Sequence, residues 1–327
     1  MYFVATLLGV ACLGPDDTGT TSTTGDSDGP STGMDSGTSG TGADSGTSGT
    51  GWDSGSGDSG TSDSGETGSS WLVTVPPGTW VVGSPDTEVG RNADQETAHS
   101  VTLTRAYEIM TTEVTWAQYQ EWTGGSGDPE GCDSCPVTGV TWSEAAAAAN
   151  ALSLLEGLEA CYSCSGDSCD PPVDPYACEG WRLPTEAEWE VAARAGTTSA
   201  FSTGADLLED PDECAAAVLS DGSDLAEVAW YCDSATAPAP VGQLAPNPWG
   251  LYDVHGNAFE WVHDGAAPFG SDPVTDPAGP PGANFRISRG GAWYNLPRFV
   301  RTAFRLAHDP DGRDGYLGFR LARTVAD

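Results

Sequence analysis

Residues 180–196 read GWRLPTEAEWEVAARAG. Pro184 disfavours helix before it, and Thr185 with Glu188 three positions on forms a capping box. A helix is therefore expected from Thr185 through Trp189 to Arg194, stopping at Gly196. The same signal occurs twice upstream, at Thr115-Trp-Ala-Gln118 and Thr141-Trp-Ser-Glu144. The second opens an alanine-rich helix running to about Leu155, with Gly157 as its stop. Strand-like stretches are short: 71–75, 80–82, 100–104, 286–293 and 318–322. Long Gly/Pro-rich connections join them. The pattern predicts an α+β domain, loop-rich, with a core held by aromatics and cross-links.

That domain is expected to occupy 71–327, which holds eleven of the twelve tryptophans. Residues 13–70 are a different material: Gly, Ser, Thr and Asp, with nine Asp, one Glu, no Arg and one aromatic, Trp52. A nine-residue unit recurs there, DSGTSGTGA from Asp35 and DSGTSGTGW from Asp44. Such a segment cannot bury enough apolar area to offset chain entropy, so it is expected to be a disordered, extended tether. Residues 1–12 begin with the apolar run MYFVATLLGVA and end at Cys12. A short apolar run closed by a small residue reads as an export signal, and it is too short to span a bilayer. The cysteine directly after Val10-Ala11 makes Cys12 the candidate lipid-bearing residue of a lipoprotein. A plain secretory signal with an incidental cysteine is the alternative. The expected location is extracytoplasmic, lipid-anchored in the cell envelope or secreted.

The formal charge is −36, and all twelve basic residues are arginine. No lysine means no Walker A loop and no lysine Schiff base. The negative charge argues against nucleic acid, and against a membrane surface except through a lipid anchor. Eight of the twelve arginines lie between Arg286 and Arg323. They are expected mainly to pair with buried carboxylates, the role arginine fills best, with an arginine-lined pocket as the alternative. Beyond Cys12 there are eight cysteines, Cys132, Cys135, Cys161, Cys164, Cys169, Cys178, Cys214 and Cys232. In an exported chain they read as up to four disulfides of undetermined connectivity. The alternative is zinc held by Cys132-x-x-Cys135 with Cys161-x-x-Cys164.

Six segments, in order, carry a family resemblance: VTVPPGTWVVGSP (73–85), VTLTRAYEIMTTEVTWAQYQEW (101–122), PVTGVTWSEAAAAANALS (136–153), GWRLPTEAEWEVAARAG (180–196), PNPWGLYDVHGNAFEW (246–261), and RGGAW (289–293) followed by GFRLAR (318–323). Together they resemble the formylglycine-generating enzyme, or sulfatase-modifying factor, family. The resemblance implies a compact fold related to C-type lectin domains, with little regular secondary structure. It also implies copper-dependent oxidation of a sulfatase cysteine by a pair of cysteines shortly after the GGSW-like segment. A soft thiolate pair suits Cu(I). Here those two positions are Asn295 and Val300, and the family serine is Ala292. Copper and iron chemistry is therefore not supported by the sequence. A facial iron triad from His255, His263 and Asp264 is a remote variant. Trp293, Arg298 and Arg301 are the pocket candidates nearby. The resemblance further implies a structural calcium held by Asp253, the carbonyls of Gly256 and Ala258, and Glu260, all hard oxygen donors. The alternative is that Asp253 caps a turn and Glu260 pairs with an arginine.

Three functional readings follow. The first is a tethered binding or scaffold module with an unknown protein or glycan ligand. The second is a family oxidoreductase with non-cysteine iron or copper chemistry. The third is residual formylglycine generation.

Overall fold

The computed structural model describes residues 71–128 and 130–326. The export segment with Cys12 and the linker at 13–70 lie outside them. Twelve strands run in chain order: β1 Leu72–Val75, β2 Gly78–Val82, β3 His99–Leu103, β4 Tyr107–Met110, β5 Ser163–Ser165, β6 Ser168–Asp170, β7 Phe259–Gly265, β8 Val274–Thr275, β9 Arg286–Arg289, β10 Arg305–His308, β11 Leu317–Gly318 and β12 Ala322–Thr324. Three α-helices join them: α1 Trp116–Thr123, α2 Trp142–Leu155 and α3 Glu186–Arg194. The strands form small sheets, β1-β4-β12, β10-β9-β7-β11, β2-β3-β8 and the hairpin β5-β6. Extended irregular chain connects them, which is the loop-rich α+β arrangement anticipated from the sequence.

Each helix starts where its capping box lies. The side chains of Thr115, Thr141 and Thr185 accept the N–H of Gln118, Glu144 and Glu188, and each partner side chain reaches back to its cap. These bonds satisfy first-turn N–H groups that have no partner within the helix. The helix α3 ends at Ala195, itself left-handed at φ 49°, with Gly196 next at φ 88°. Every residue of α3 is buried, including Glu186, Glu188, Glu190 and Arg194. An amphipathic surface helix would expose such residues.

The core is built on tryptophan. Trp142, Trp181, Trp189 and Trp261 are almost wholly enclosed, and each indole N–H has an acceptor, as buried indoles generally do. Trp142 donates to the Val262 carbonyl at 2.8 Å and Trp261 to the Val140 carbonyl at 2.9 Å, stitching α2 to β7. Trp181 donates to Glu156 at 2.9 Å and Trp189 to Glu260 at 2.7 Å.

All eight cysteines of 71–327 are paired: Cys132–Cys135, Cys161–Cys178, Cys164–Cys169 and Cys214–Cys232. The pairing removes the zinc alternative, because Cys132 bonds Cys135 while Cys161 and Cys164 take separate partners. Four disulfides mark a chain that matures outside the reducing cytoplasm. Among the described residues no helix is long and apolar enough to cross a membrane.

The strand expected over 286–293 stops at Arg289. Gly290 and Gly291 follow at φ 88° and 76° and turn the chain back. A Cβ on Gly291 would meet the Phe299 carbonyl oxygen at 2.4 Å, so this corner requires glycine.

Candidate functional site

The turn after β9 leads through Ala292 and Trp293 to the two positions where the resemblance places cysteines. Both are structural here. The Asn295 Oδ1 accepts the Ala292 N–H at 2.8 Å, and its carbonyl accepts the Cys232 N–H at 3.1 Å. Val300 is fully buried with Phe201, Leu219 and Tyr231. Its carbonyl accepts the His255 Nδ1–H at 2.9 Å, because Nε2 is already the acceptor for the Ser202 N–H at 3.1 Å. Neither position presents a thiolate or a free ligand atom.

The other residues singled out in this segment separate. Trp293 lines a cavity of about 570 Å³, with Trp116, Pro136 and Pro238 as its other apolar walls, Asp128 and Glu130 as acidic groups, and the Cys132–Cys135 disulfide on one side. Arg298 turns away to Asp210 at 2.8 Å and lies over the Phe299 ring. Arg301 is buried in a triad with Glu88 and Glu96. The cavity is therefore aromatic and acidic, without an arginine wall.

Of the eight late arginines, Arg289, Arg301, Arg305 and Arg320 form buried pairs with carboxylates, and Arg182 and Arg194 do the same earlier in the chain. Arg182 grips Glu188 through two bonds of 2.7 and 2.8 Å. Arg289 joins Glu186 at 3.1 Å and Glu190 at 2.6 Å. Arg194 meets Glu190 at 2.8 Å, and Arg305 meets Glu186 at 2.6 Å. Burial alone would raise the Glu190 pKa, but the Arg194 and Arg289 charges outweigh it and hold Glu190 below the usual carboxylate range.

The loop between Asp253 and Glu260 is conformationally demanding. Asp253 and Asn257 are left-handed at φ 56° and 62°, a region that Asp and Asn tolerate better than most residues. Between them Gly256 sits so close to Trp230 that a Cβ would lie 1.6 Å from its carbonyl oxygen. Asp253 accepts the Trp230 Nε1–H at 3.1 Å and the Gly242 N–H at 2.7 Å. Glu260 takes Arg320 through bonds of 2.6 and 2.8 Å, besides the Trp189 indole. This is the arginine pairing that the sequence left as the alternative for Glu260.

A residue that the motifs did not single out completes this region. Glu113 is fully buried and neither carboxylate oxygen has a hydrogen-bond donor. Burial, then repulsion from Asp253, pushes its pKa well above the usual range. The Asp253 pKa is also raised, chiefly by burial. The signal available in the sequence was an acid next to Val114 in MTTEV, directly before a capped helix.

His255, His263 and Asp264 do not converge. His255 is held by Ser202 and Val300, as described, and burial lowers its pKa to about 4. His263 is buried with Nδ1 unpartnered, and burial lowers it to about 3. Asp264 accepts the Glu186 N–H at 2.7 Å, at the amino end of α3. Burial, then repulsion from Glu186, raises it to about 8. Among the described residues no three His, Cys, Asp or Glu side chains are arranged to hold a metal ion, so the facial triad is not assembled.

Residues 61–325 match the sulfatase-modifying factor enzyme 1-like domain family. The chain belongs to that family. It is 30% identical over 241 residues to a chaperone protein, LppX, of Paenibacillus barcinonensis, covering 69% of this chain and 82% of that one. It is 34% identical over 151 residues to the formylglycine-generating enzyme of Streptomyces coelicolor, covering 45% of this chain and 48% of that enzyme. The alignment thus spans about half of that relative's length. Among solved structures, the Treponema denticola variable protein 1 superposes with a TM-score of 0.63 at 29% identity, over 78% of this chain and 95% of that one. The fold anticipated from the resemblance is thus the fold of the family.

Proposed function

We propose that this sulfatase-modifying-factor-like domain is an extracytoplasmic binding module whose ligand is a polypeptide seated in the cavity between Trp116 and Trp293. One observation carries the reading. The segment where the family resemblance places two cysteines supplies a packing valine and a turn-closing asparagine, while the space beside it remains open and aromatic-walled. Aromatic side chains give large contact area with little entropy loss, and the acidic groups favour a basic partner. The relative named as a chaperone protein, matched over most of its length, supports a polypeptide ligand over a glycan. In this reading Cys12 carries a lipid and residues 13–70 act as a spacer that sets the module away from the membrane.

The test is calorimetric titration with an unfolded polypeptide rich in arginine and tyrosine. Saturable binding weakened by salt is expected, and Trp293→Ala should weaken it by about 2 kcal/mol, the scale of an aromatic hot spot. Binding unchanged in Trp293→Ala, or binding only to glycans, would overturn the reading.

Calcium belongs to the same proposal as a stabilising ion. The local charge supports it: Glu113, Asp253 and Glu260 face one guanidinium, Arg320, and both Glu113 oxygens are buried without a donor. Glu113 and Asp253 would hold the ion with the Gly256 and Ala258 carbonyls, and Glu260 would brace the loop through Arg320. A hard, oxygen-seeking cation suits that donor set. Thermal unfolding of chelator-stripped protein is expected to shift upward with millimolar calcium in the wild type and not in Glu113→Gln. No shift in the wild type would remove calcium from the account.

A further inference from the structure

The Cys132–Cys135 disulfide differs in setting from the other three. It closes the shortest ring, Cys-Asp-Ser-Cys, with a sequence separation of 3 against 5, 17 and 18 elsewhere. It also forms part of the cavity wall that Trp116 and Trp293 share. Its two residues are unequally exposed: Cys132 is half-buried, whereas Cys135 is 7% exposed.

The loop that carries them is laid across the amino end of α1. Trp116 N–H donates to the Cys135 carbonyl at 3.1 Å and Ala117 N–H to the Asp133 carbonyl at 3.0 Å. The Asp128 side chain holds the near end by accepting the Cys132 N–H at 2.6 Å. The backbone of the ring is thus fixed independently of the S–S bond, and opening that bond leaves these contacts in place. The Pro238 carbonyl, 3.6 Å from the Cys135 sulfur, is an acceptor for the thiol once it is protonated.

We infer that Cys132–Cys135 is a thiol–disulfide exchange site acting on cysteine-bearing polypeptides bound in the cavity. This deepens the binding reading and rests on it. In the exchange, a thiolate of the bound polypeptide attacks the Cys132 sulfur. The Cys132–Cys135 bond breaks, and Cys135 leaves with the electron pair and takes up a proton. A second thiolate of the same polypeptide then attacks its own sulfur in the mixed disulfide and releases Cys132. The polypeptide gains one disulfide, and the module gains two thiols and two electrons. A disulfide-bearing polypeptide restores the module by the reverse exchange. Attack at the cysteine of the more accessible residue is the favoured direction for this chemistry.

The experiment uses three probes on the intact protein: an arginine- and tyrosine-containing peptide with one central cysteine, its serine counterpart, and glutathione. Differential alkylation and peptide mapping read which disulfide opens. Cys164–Cys169, at the exposed β5–β6 hairpin, serves as the internal control. The cysteine peptide is expected to open Cys132–Cys135 about tenfold or more faster than glutathione does, because binding raises the local thiol concentration. At Cys164–Cys169 the two thiols should differ little. Cys135→Ser, with a free Cys132, should capture the same peptide from an activated disulfide, while its thermal unfolding stays near that of the wild type. Equal preference at both disulfides, or an intact Cys132–Cys135 under these conditions, overturns the exchange site. If the serine peptide still binds, the cavity reading survives that result; if it does not, both fall.

Discussion

Two buried acidic regions of this domain are compensated differently. Around α3, four guanidiniums, Arg182, Arg194, Arg289 and Arg305, meet three carboxylates, Glu186, Glu188 and Glu190. Around the 253–260 loop, three carboxylates, Glu113, Asp253 and Glu260, face one guanidinium among the described residues, that of Arg320. The first region is electrostatically closed. It fixes a wholly buried helix between sheets, each carboxylate having at least one guanidinium partner. The second is under-compensated: burial raises the pKa of both Glu113 and Asp253, so the pair is offset by a bound proton or by a cation.

The comparison is broken most strongly at Arg289. Replacement by Met takes from Glu186 and Glu190 one of the two guanidiniums that each contacts, leaving Arg305 and Arg194 in place, so the cost is expected near the low end of the about 3–5 kcal/mol typical of a broken buried ion pair. Denaturant unfolding with the disulfides intact should show that loss. A loss of only a few tenths would mean that the α3 network is not electrostatically closed.

The second test depends on pH. The folded pKa of Asp264 is about 8, above its unfolded value, so its contribution is fully present below about pH 4 and is lost as pH rises toward 8. Asn mimics the protonated acid and does not titrate. The stability of Asp264→Asn relative to wild type should therefore grow from pH 5 to pH 9, and a constant difference would contradict the assignment. His255 and His263 act with the opposite sign. Their folded values of about 4 and about 3 lie below the unfolded value, so both proteins should lose stability as pH falls from about 6.5 toward 4.

The smallest effect is expected at Glu113→Gln without calcium. It replaces a buried acid, whose pKa is raised well above the usual range, with a neutral group of the same shape, so unfolding at neutral pH should change by less than about 1 kcal/mol, in either direction. A loss on the scale of the Arg289 variant would place Glu113 with the closed region.

The sequence was most legible where local chemistry decides the structure. Three capping boxes located three helices, and the glycines at 157 and 196 lie just past two of the helix ends. Pairing of the late arginines was foreseeable in kind, though not in partner, because Arg301 reaches Glu88 and Glu96 more than 200 positions away. The strand β7 was missed for a physical reason. Phe259–Gly265 is buried on both faces and shows no alternation, so its first residues read as the tail of the GLYD loop. The strand β4 lacks flanking turn residues that would have marked it off. Disulfide connectivity was illegible, since eight cysteines allow 105 pairings and only the fold chooses among them. Trp293 was recognised as part of the pocket, whereas Arg298 and Arg301 were not separable from it by sequence alone.

We propose that this member of the family binds polypeptides, and the residues at 295 and 300 lead us to expect no formylglycine formation. The most direct measurement incubates the purified, copper-supplemented protein with a sulfatase-derived cysteine peptide under air and follows the peptide by mass spectrometry. With Asn295 and Val300 at the family cysteine positions, the peptide cysteine is expected to form no aldehyde. Conversion to formylglycine above the protein-free control would contradict the account.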